Sequence, residues 1–412
     1  MGGGQAVGGG GAPAHVGGAG GGLAGAGGNG GSTGAGGAAG SAAGAGGGSG
    51  SSGAGGAAGS RGGGGAPGAT SNSANYAINP AHDGAQPGEA IRTPLVARWS
   101  VATSFGAVSY PLIADGRLYV SYADGEPRLA AYDLRTGAVS WGPLTLDATV
   151  TLAYDGGHLF GEDQNGKISA WDGATGHALW SATLGPQWSF EDPPVASAGS
   201  VYVNGLGFGG TIYALDGTTG VMRWSTNYDG GQGVPAIGGG RLFEVGGCQE
   251  VSAMDALTGQ GLAVIHSTSC TGGGGGTSVY SQGRLWITDN LLGDVIIDGG
   301  GAVVGTFSGG FPAVDGGVAF YPGGGVTAVD VATGTTRWST PIDGACTAVT
   351  VAGAGRQVFV GTTEGKIHEL NEDTGAEVSA DVTGFLSDAS CWPIALAEGR
   401  LAYATGSGVA VY

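Results

Sequence analysis

The chain has 412 residues, 95 of them glycine, and its formal net charge at pH 7 is −18. An acidic excess of this size repels phosphate backbones and anionic lipid headgroups, so it argues against nucleic acid and membrane surfaces as partners. No window approaches about 18 uninterrupted apolar residues, so we expect no transmembrane segment. Met1 is followed directly by glycine, and no signal peptide is visible.

The beginning of the chain is almost entirely glycine, alanine and serine. Such a segment has little apolar area to bury, and glycine loses the most backbone entropy on folding. We therefore predict a disordered Gly/Ala/Ser-rich tether at residues 1–75, followed by one domain at 76–412. Its first part, Tyr76–Pro94, is rich in turn-forming residues and is expected to be a transition.

One sequence pattern organises the rest of the chain. At Ile212–Ser225, an apolar strand-like run is followed by turn-forming residues, Asp216–Gly220, and by a second strand-like run. The spacing Ala-x-Asp-x-x-Thr-Gly-x-x-x-Trp occurs at Ala131–Trp141, Ala170–Trp180, Ala214–Trp224 and Ala328–Trp338. Each copy predicts a strand, a tight turn and another strand.

The turns recur about every 40 residues, which is the period of four-stranded propeller blades. A second repeated phrase, a turn followed by a strand as in Gly116–Val120, occurs eight times. Arg98–Ser100 repeats the end of the motif without its beginning, whereas the chain ends on strands that normally precede the turn. The sequence therefore predicts an all-β fold, an eight-bladed β-propeller whose last blade is closed by Leu95–Ser100.

The motif and its copy number resemble the tryptophan-docking repeat of the PQQ-like β-propellers over about Leu95 to Tyr412. That family includes quinone-dependent alcohol dehydrogenases and non-catalytic proteins of the bacterial cell envelope. The resemblance to the dehydrogenases would imply a vicinal cysteine pair, which this chain lacks, and a longer chain with blade insertions. The long tether resembles those behind lipid anchors.

The repeated residues are expected to be structural. The motif Asp suits backbone hydrogen bonds within its own turn, and the Trp offers a large apolar face to the next blade. We assign this docking role to Trp99, Trp141, Trp180, Trp224 and Trp338. Gly205–Gly210 has the spacing of a dinucleotide-binding loop but precedes a strand rather than a helix. Glu162–Gly166 suggests a calcium loop, but a blade turn is the better interpretation.

The four cysteines are predicted to lie on one face of the propeller. Cys248 falls in a turn between the second and third strands, and the other three, Cys270, Cys346 and Cys391, fall in connections between blades. We predict disulfides Cys248–Cys270 and Cys346–Cys391, although four cysteines allow three pairings. Zinc binding is the alternative, but the spacings contain no Cys-x-x-Cys. Disulfides imply export to the periplasm or cell surface.

The function expected from these observations is a non-catalytic, exported binding scaffold of the cell envelope. It would be a monomer that holds a protein or glycan and needs no cofactor or metal. The candidate binding face collects aromatic and acidic residues in the blade connections, although core packing is an equal alternative for each: Trp188, Phe190, Glu191, Asp192, Tyr228, Asp229 and Trp392. Two other functions stay open, a quinone-dependent dehydrogenase and a structural module without a ligand.

Overall fold

The computed structural model describes residues 71–412 apart from 104–108, 208–209, 229, 262, 268–274, 290, 384–392 and 406. These residues form eight sheets, each containing four antiparallel strands, and one sheet gains a parallel fifth strand at Ala85–Gln86. The predicted all-β, eight-bladed propeller is confirmed. In the described part of the chain, no helix has the length and apolar character needed to cross a membrane.

We number the blades in chain order and label their strands A to D from the inside outward. Blade 1 consists of Leu112–Ala114, Arg117–Ala123, Pro127–Asp133 and Val139–Thr145, and blade 2 of Thr151–Asp155, His158–Glu162, Lys167–Asp172 and Ala178–Thr183. Blade 3 consists of Val195–Ser197, Ser200–Gly205, Thr211–Asp216 and Met222–Asn227. Blade 4 consists of Ala236–Gly238, Arg241–Val245, Val251–Asp255 and Ala263–His266, with a 3-10 turn at Gly247–Gln249. Blade 5 consists of Val279–Ser281, Arg284–Asp289, Gly293–Asp298 and Val303–Thr306, and blade 6 of Ala313–Asp315, Val318–Pro322, Gly325–Asp330 and Thr336–Pro341. Blade 7 consists of Ala345–Ala352, Gln357–Thr362, Lys366–Asn371 and Glu377–Val382. Blade 8 consists of Ala395–Ala397, Arg400–Thr405, Gly408–Val411 and, from the other end of the chain, Trp99–Ala102.

Burial changes from the middle of each blade to its rim. Every residue of the B strand Ser200–Gly205 is buried, whereas the D strand Met222–Asn227 alternates between exposed and partly buried positions. The core is divided into eight apolar clusters, each joining two adjacent blades. In one of them Tyr202 of blade 3 packs with Leu242 of blade 4. The ring is therefore held together by contacts between neighbouring blades.

The motif tryptophans lie on the turn of the following blade. The Trp180 indole donates a hydrogen bond from Nε1 to the Gly217 carbonyl (3.0 Å), and its ring covers Gly220. A Cβ on Gly220 would come within 2.6 Å of that ring, so glycine is required for the close approach. The same arrangement pairs Trp99 with Gly137, Trp141 with Gly176, Trp224 with Gly259 and Trp338 with Gly375.

The motif aspartate organises the turn on which the indole rests. Asp216 Oδ1 accepts hydrogen bonds from the backbone N–H and the hydroxyl of Thr219 (both 2.8 Å). Asp216 Oδ2 accepts from Arg223, and these bonds, the one from Arg223 foremost, hold the pKa of the carboxyl well below its usual range. The Asp and Thr of the motif therefore fix the turn, and the Gly leaves room for the ring.

The eighth blade is closed by a strand that starts later than predicted. Trp99–Ala102 pairs with Gly408–Val411, as the incomplete motif indicated. Leu95 is not part of this strand, since its N–H donates to Ser379 Oγ of blade 7 (3.2 Å) and its side chain is buried between blades 7 and 8. The chain therefore covers blade 7 as far as Ala97, whose N–H donates to Asp381 Oδ2 (3.3 Å), and joins blade 8 at Arg98, whose N–H donates to the Val411 carbonyl (2.7 Å).

Residues 71–91, which we call the channel segment, contact the A strand or A–B turn of every blade. Ser73 pairs with Ile113 of blade 1, and the contacts then follow the blades in chain order to Gly399 of blade 8. The partners on the blades are Ile113, Tyr154, Ala196, Ile237, Tyr280, Val314, Val351 and Gly399. An A strand has an unpaired inner edge whose buried N–H groups need partners, and the segment supplies them. Ser73 and Asn75, assigned to the tether from sequence, are part of it.

The docking of indole on glycine can be tested with two alanine substitutions in equivalent turns. Gly220 and Gly334 both have positive φ (72° and 69°), but a Cβ on Gly334 would meet nothing within 4 Å. We expect Gly334→Ala to lower the free energy of unfolding by about 1 kcal/mol through backbone strain alone. Gly220→Ala should cost about 3 kcal/mol, since it also displaces Trp180. Urea unfolding measures both values, and an equal decrease in the free energy of unfolding for the two variants would contradict the docking role.

The channel segment offers a similar matched pair. A Cβ on Gly84 (φ +63°) would lie 2.9 Å from both Ala313 Cβ and the Val349 carbonyl oxygen, whereas one on Gly88 would meet nothing within 4 Å. Gly84→Ala should therefore loosen the segment and speed hydrogen exchange of the Val351 amide, which bonds to the Gly84 carbonyl (2.9 Å). Gly88→Ala should leave that exchange rate unchanged. Unchanged exchange in both variants would show that the segment does not protect the A strands.

Candidate functional site

Three consecutive blades place a carboxylate or amide near the end of strand B. These residues are Glu162 of blade 2, Asn204 of blade 3 and Glu244 of blade 4, with exposed fractions of 2%, 1% and 0%. Each lies in a mostly buried strand between neighbouring blades. Glutamate is rarely buried without a partner, so the two carboxylates need a specific explanation.

Asn204 connects this group across the interface of blades 3 and 4. Its Nδ2 donates to the Gly233 carbonyl (2.9 Å) and lies 3.3 Å from both Glu244 Oε1 and Asp192 Oδ2. Its Oδ1 accepts a hydrogen bond from the Tyr228 hydroxyl (2.5 Å). The amide is therefore held in one orientation by its surroundings.

The carboxylates are only partly satisfied. Among the described residues, neither oxygen of Glu162 has a hydrogen-bond partner, and Glu244 Oε2 also lacks one. Burial raises the pKa of both carboxyls well above the usual range, and the charge of Asp192 adds to the shift in each. Burial also raises the pKa of Asp192 itself to about 6. At neutral pH and without a counter-charge, Glu162 and Glu244 are expected to hold their protons.

The channel segment brings two aromatic side chains to the same region. The Tyr76 ring packs edge-on against His82 (6.0 Å between centroids) and against Tyr110 (5.4 Å). The charge of Asp192 contributes to raising the pKa of Tyr76, and that of Glu162 contributes to raising the pKa of Tyr110, with burial the main cause in both. The aromatic group and the acidic group are therefore neighbours.

His82 is fixed in one tautomer by its surroundings. Burial lowers its pKa to about 4, so the imidazole is neutral near pH 7. Its Nδ1 lies 3.1 Å from the Ser278 carbonyl oxygen, which can only accept, so Nδ1 carries the proton. Nε2 is buried without a hydrogen-bond partner in the described part of the chain, and it presents a lone pair.

The predicted candidate binding face is not one surface. Trp188 (68% exposed) and Glu191 are exposed, and Asp192 is partly buried beside Asn204. Phe190 and Tyr228 are buried, because Phe190 packs under Gly166 and beside Tyr213 while Tyr228 bonds to Asn204. These two are core residues, the alternative that the sequence left open. Asp229 and Trp392 lie outside the described residues.

The cysteines are described only in part. Cys248 lies in the 3-10 turn between strands B and C of blade 4 and is disulfide-bonded. Cys346 is the second residue of strand Ala345–Ala352. Cys270 and Cys391 fall outside the described residues, so both pairings stay predictions.

Sequence reasoning missed Glu162 and Glu244. The turn after Glu162 is a blade turn as interpreted, since Asp163 Oδ1 accepts the N–H groups of Asn165 (2.8 Å) and Lys167 (3.1 Å). Glu162 itself ends the preceding strand and is buried. The available signal was an acidic residue inside an apolar strand, as in Leu242-Phe243-Glu244-Val245.

A buried group of this composition can do two kinds of chemistry. Carboxylate and amide oxygens are the ligands that Ca²⁺ and similar hard cations prefer. A carboxyl with a raised pKa can also accept or deliver a proton near neutral pH. No three His, Cys, Asp or Glu side chains in the described ranges form a metal-holding group on their own.

Comparison with known proteins identifies a family and several relatives. The family model described as outer membrane protein assembly factor BamB matches residues 97–187, 164–310, 278–383 and 322–411. A serine/threonine-protein kinase, AfsK of Streptomyces coelicolor, is 37% identical over 116 residues, which cover 27% of this chain and 14% of the kinase. A polyvinylalcohol dehydrogenase of Sphingopyxis is 26% identical over 171 residues, covering 35% of this chain and 25% of the enzyme. The matches thus span a quarter or less of these two relatives.

Solved structures with the same fold include two dehydrogenases. The quinohemoprotein alcohol dehydrogenase of Comamonas testosteroni has a TM-score of 0.62 at 13% identity, covering 83% of this chain and 80% of that one. A europium-containing methanol dehydrogenase has a TM-score of 0.61 at 14% identity, with 82% and 90% covered. At these identities the likeness concerns the fold alone.

These comparisons correct three expectations. The chain was expected to be a non-catalytic scaffold, not an enzyme, and to use no cofactor. The polyvinylalcohol dehydrogenase among the relatives in sequence contradicts these expectations, and the solved structures of the same fold include dehydrogenases as well. The expectation of a scaffold rested on the missing vicinal cysteines and on the short chain without blade insertions. Neither of these observations concerns the buried carboxylates.

The raised pKa of Glu162 predicts a specific pH dependence of stability. Above the ordinary value of 4.5 the unfolded chain loses this proton while the folded chain keeps it, so the free energy of unfolding falls as pH rises. With a chelator present, Glu162→Gln should make the fall between pH 5 and 7 shallower by up to about 1.4 kcal/mol per pH unit. Urea unfolding at several pH values measures this slope.

The exposed Glu126, which pairs with Arg128 at 3.1 Å, provides the control. Glu126→Gln should leave the slope unchanged. If Glu162→Gln and Glu126→Gln both show the same dependence of the free energy of unfolding on pH as the wild type, Glu162 is ionised in the folded protein and the prediction is wrong.

Proposed function

The chain belongs to the PQQ-like repeat family described as outer membrane protein assembly factor BamB, and within that fold we propose that it acts as a quinone-dependent dehydrogenase that oxidises alcohols. The observation that carries the proposal is the set of unpartnered, buried carboxylate oxygens on Glu162 and Glu244. A bound ion is one explanation for buried carboxylate oxygens that have no protein partner.

The residues present fit a hard cation in part. Glu162 and Glu244 would supply carboxylate oxygens, and Asn204 Oδ1 an amide oxygen, which is the donor type that Ca²⁺ and similar ions take. The three residues come from consecutive blades and are buried. The described side chains do not complete a coordination sphere, so oxygens of the cofactor would have to complete it. Cation binding would replace the protons that Glu162 and Glu244 hold.

A bound quinone would supply the two-electron acceptor that no amino-acid side chain provides. Tyr76 of the channel segment, whose pKa the Asp192 charge helps to raise, and His82, which packs edge-on against Tyr76, would contact such a ligand. The neutral His82 would accept a hydrogen bond at Nε2. The chain has no adjacent cysteines, so the ligand would be held without the vicinal pair of the dehydrogenases.

Asp192 is the group we assign to the hydroxyl proton of the alcohol. Its pKa of about 6 makes it mostly ionised at neutral pH and still close enough to that pH to transfer a proton efficiently. Its Oδ2 is held by the Gly233 N–H (2.8 Å) and faces Asn204 Nδ2 (3.3 Å). These contacts position the carboxylate beside Glu244.

The proposal includes export. A disulfide at Cys248 requires an oxidising compartment, which agrees with a periplasmic or cell-surface enzyme. We propose that residues 1–70, the part of the predicted tether that precedes the channel segment, link the propeller to the envelope, and that the pairings are Cys248–Cys270 and Cys346–Cys391.

Reconstitution of the full chain tests the function. Calorimetric titration with Ca²⁺, and in parallel with a lanthanide, should show binding with release of about one proton or more. Pyrroloquinoline quinone added next should shift its absorption spectrum, and ethanol or polyvinyl alcohol should then reduce an artificial electron acceptor. Glu162→Gln should weaken cation binding about 10- to 100-fold.

Glu126→Gln is the matched control and should bind cation and quinone as the wild type does. If neither cation nor quinone binds the folded wild-type chain, the dehydrogenase proposal is wrong. If both bind but no alcohol is oxidised, the assigned substrate class is wrong.

A further inference from the structure

Blade 5 lacks the tryptophan that the motif places on strand D. The turn glycine of this blade is Gly301, and four residues later, where Trp224 follows Gly220, stands Gly305. In the following blade, no ring of the described residues lies above the turn glycine Gly334, and a Cβ there would meet nothing within 4 Å. The position of one docking indole is therefore vacant.

A cleft of about 650 Å³ lies at this vacancy between blades 5 and 6. Gly305 and Gly334 both line it, together with the apolar side chains of Val304, Phe307, Tyr321 and Val329. Phe307 stacks on Tyr321 with 5.4 Å between ring centroids, which fixes one wall. This volume is within the usual range of small-molecule sites.

The other interfaces show what this position accepts. At five of them an indole covers the turn glycine and donates to a carbonyl of the turn, as Trp180 does to Gly217 (3.0 Å). In blade 6 the equivalent carbonyl belongs to Val331, and it accepts a hydrogen bond from Arg284 Nη1 instead. The polar requirement of the turn is thus met, while the space above Gly334 is left open.

Arg284 also adds a charge to the cleft that it lines. At the neighbouring interface Arg241 makes the same kind of bond, to the Gly299 carbonyl (2.9 Å), and its guanidinium lies 5.0 Å from the centroid of the Phe243 ring. A guanidinium in such a place favours an electron-rich aromatic ring.

We propose that this cleft binds a free, planar aromatic compound of about the size of indole. The ring takes the place of the missing tryptophan between Gly305 and Gly334, with Val329 and Phe307 beside it and Arg284 at its edge or face. This site is distinct from the buried carboxylates, which lie in blades 2 to 4, and does not depend on the proposed dehydrogenase activity.

Indole is the probe, and the full-length chain is the sample. Ligand-observed NMR and calorimetry should give a dissociation constant of roughly 1 mM for the wild type. Gly305→Trp restores the motif residue and should weaken indole binding at least tenfold. The same variant should raise the melting temperature by about 2 °C or more, because the indole fills the cleft. Indole should raise the melting temperature of the wild type and not that of the variant.

Val303→Trp is the matched control, since Val303 is an exposed residue of the same strand that does not line the cleft. It should bind indole as the wild type does. If Gly305→Trp does not fold, Gly305→Leu is measured in its place and should also weaken binding.

Wild-type binding that Gly305→Trp or Gly305→Leu leaves unchanged, or no binding by the wild type, overturns the proposal. Analytical sedimentation of the wild type and of Gly305→Trp measures whether the chain forms dimers. A concentration-dependent dimer that Gly305→Trp abolishes would assign the cleft to an aromatic side chain of a second copy, and would also overturn the proposal for a free compound.

Discussion

The contact between an indole ring and a glycine of the next blade is the interaction on which the ring of blades depends. It combines a large buried apolar area with one directional hydrogen bond, and the described residues form it at five of the eight interfaces. Each contact fixes how closely the indole approaches the turn of the neighbouring blade. Where it is missing, as after blades 4 and 5, an arginine bonds to the turn carbonyl instead, which satisfies hydrogen bonding without filling the space.

Much of the fold could be predicted because the same residues, which are needed for the same turn and the same docking contact, recur in several blades. The spacing from Asp216 to Trp224 encodes a turn, a glycine and a ring, and the period gives the number of blades. The channel segment could not be found in this way, since most of its contacts with the blades are made by backbone groups and its sequence has no repeated side-chain pattern. Ala85–Gln86 is its only strand among the described residues, and it is two residues long.

The candidate site was harder to predict than the fold because its residues do not repeat. Glu162, Asn204 and Glu244 stand near the ends of equivalent strands but differ in type, so they give no periodic signal. Burial also reverses the usual interpretation of a residue: Phe190 and Tyr228, which suggest a recognition surface, pack in the core, while two glutamates are fully enclosed. Sequence alone does not give the partners of a buried carboxylate, and those partners decide its chemistry.

The channel segment has a consequence for how the ring is assembled. It meets the blades in the order in which they follow one another along the chain, so each blade closes a longer loop onto the same short stretch. The loop is 121 residues at blade 3 and 310 residues at blade 8. Because closure entropy grows only with the logarithm of loop length, the longer loop costs only about 1 kcal/mol more than the shorter one. A single early segment can therefore serve as a common template for the whole ring at little additional entropic cost.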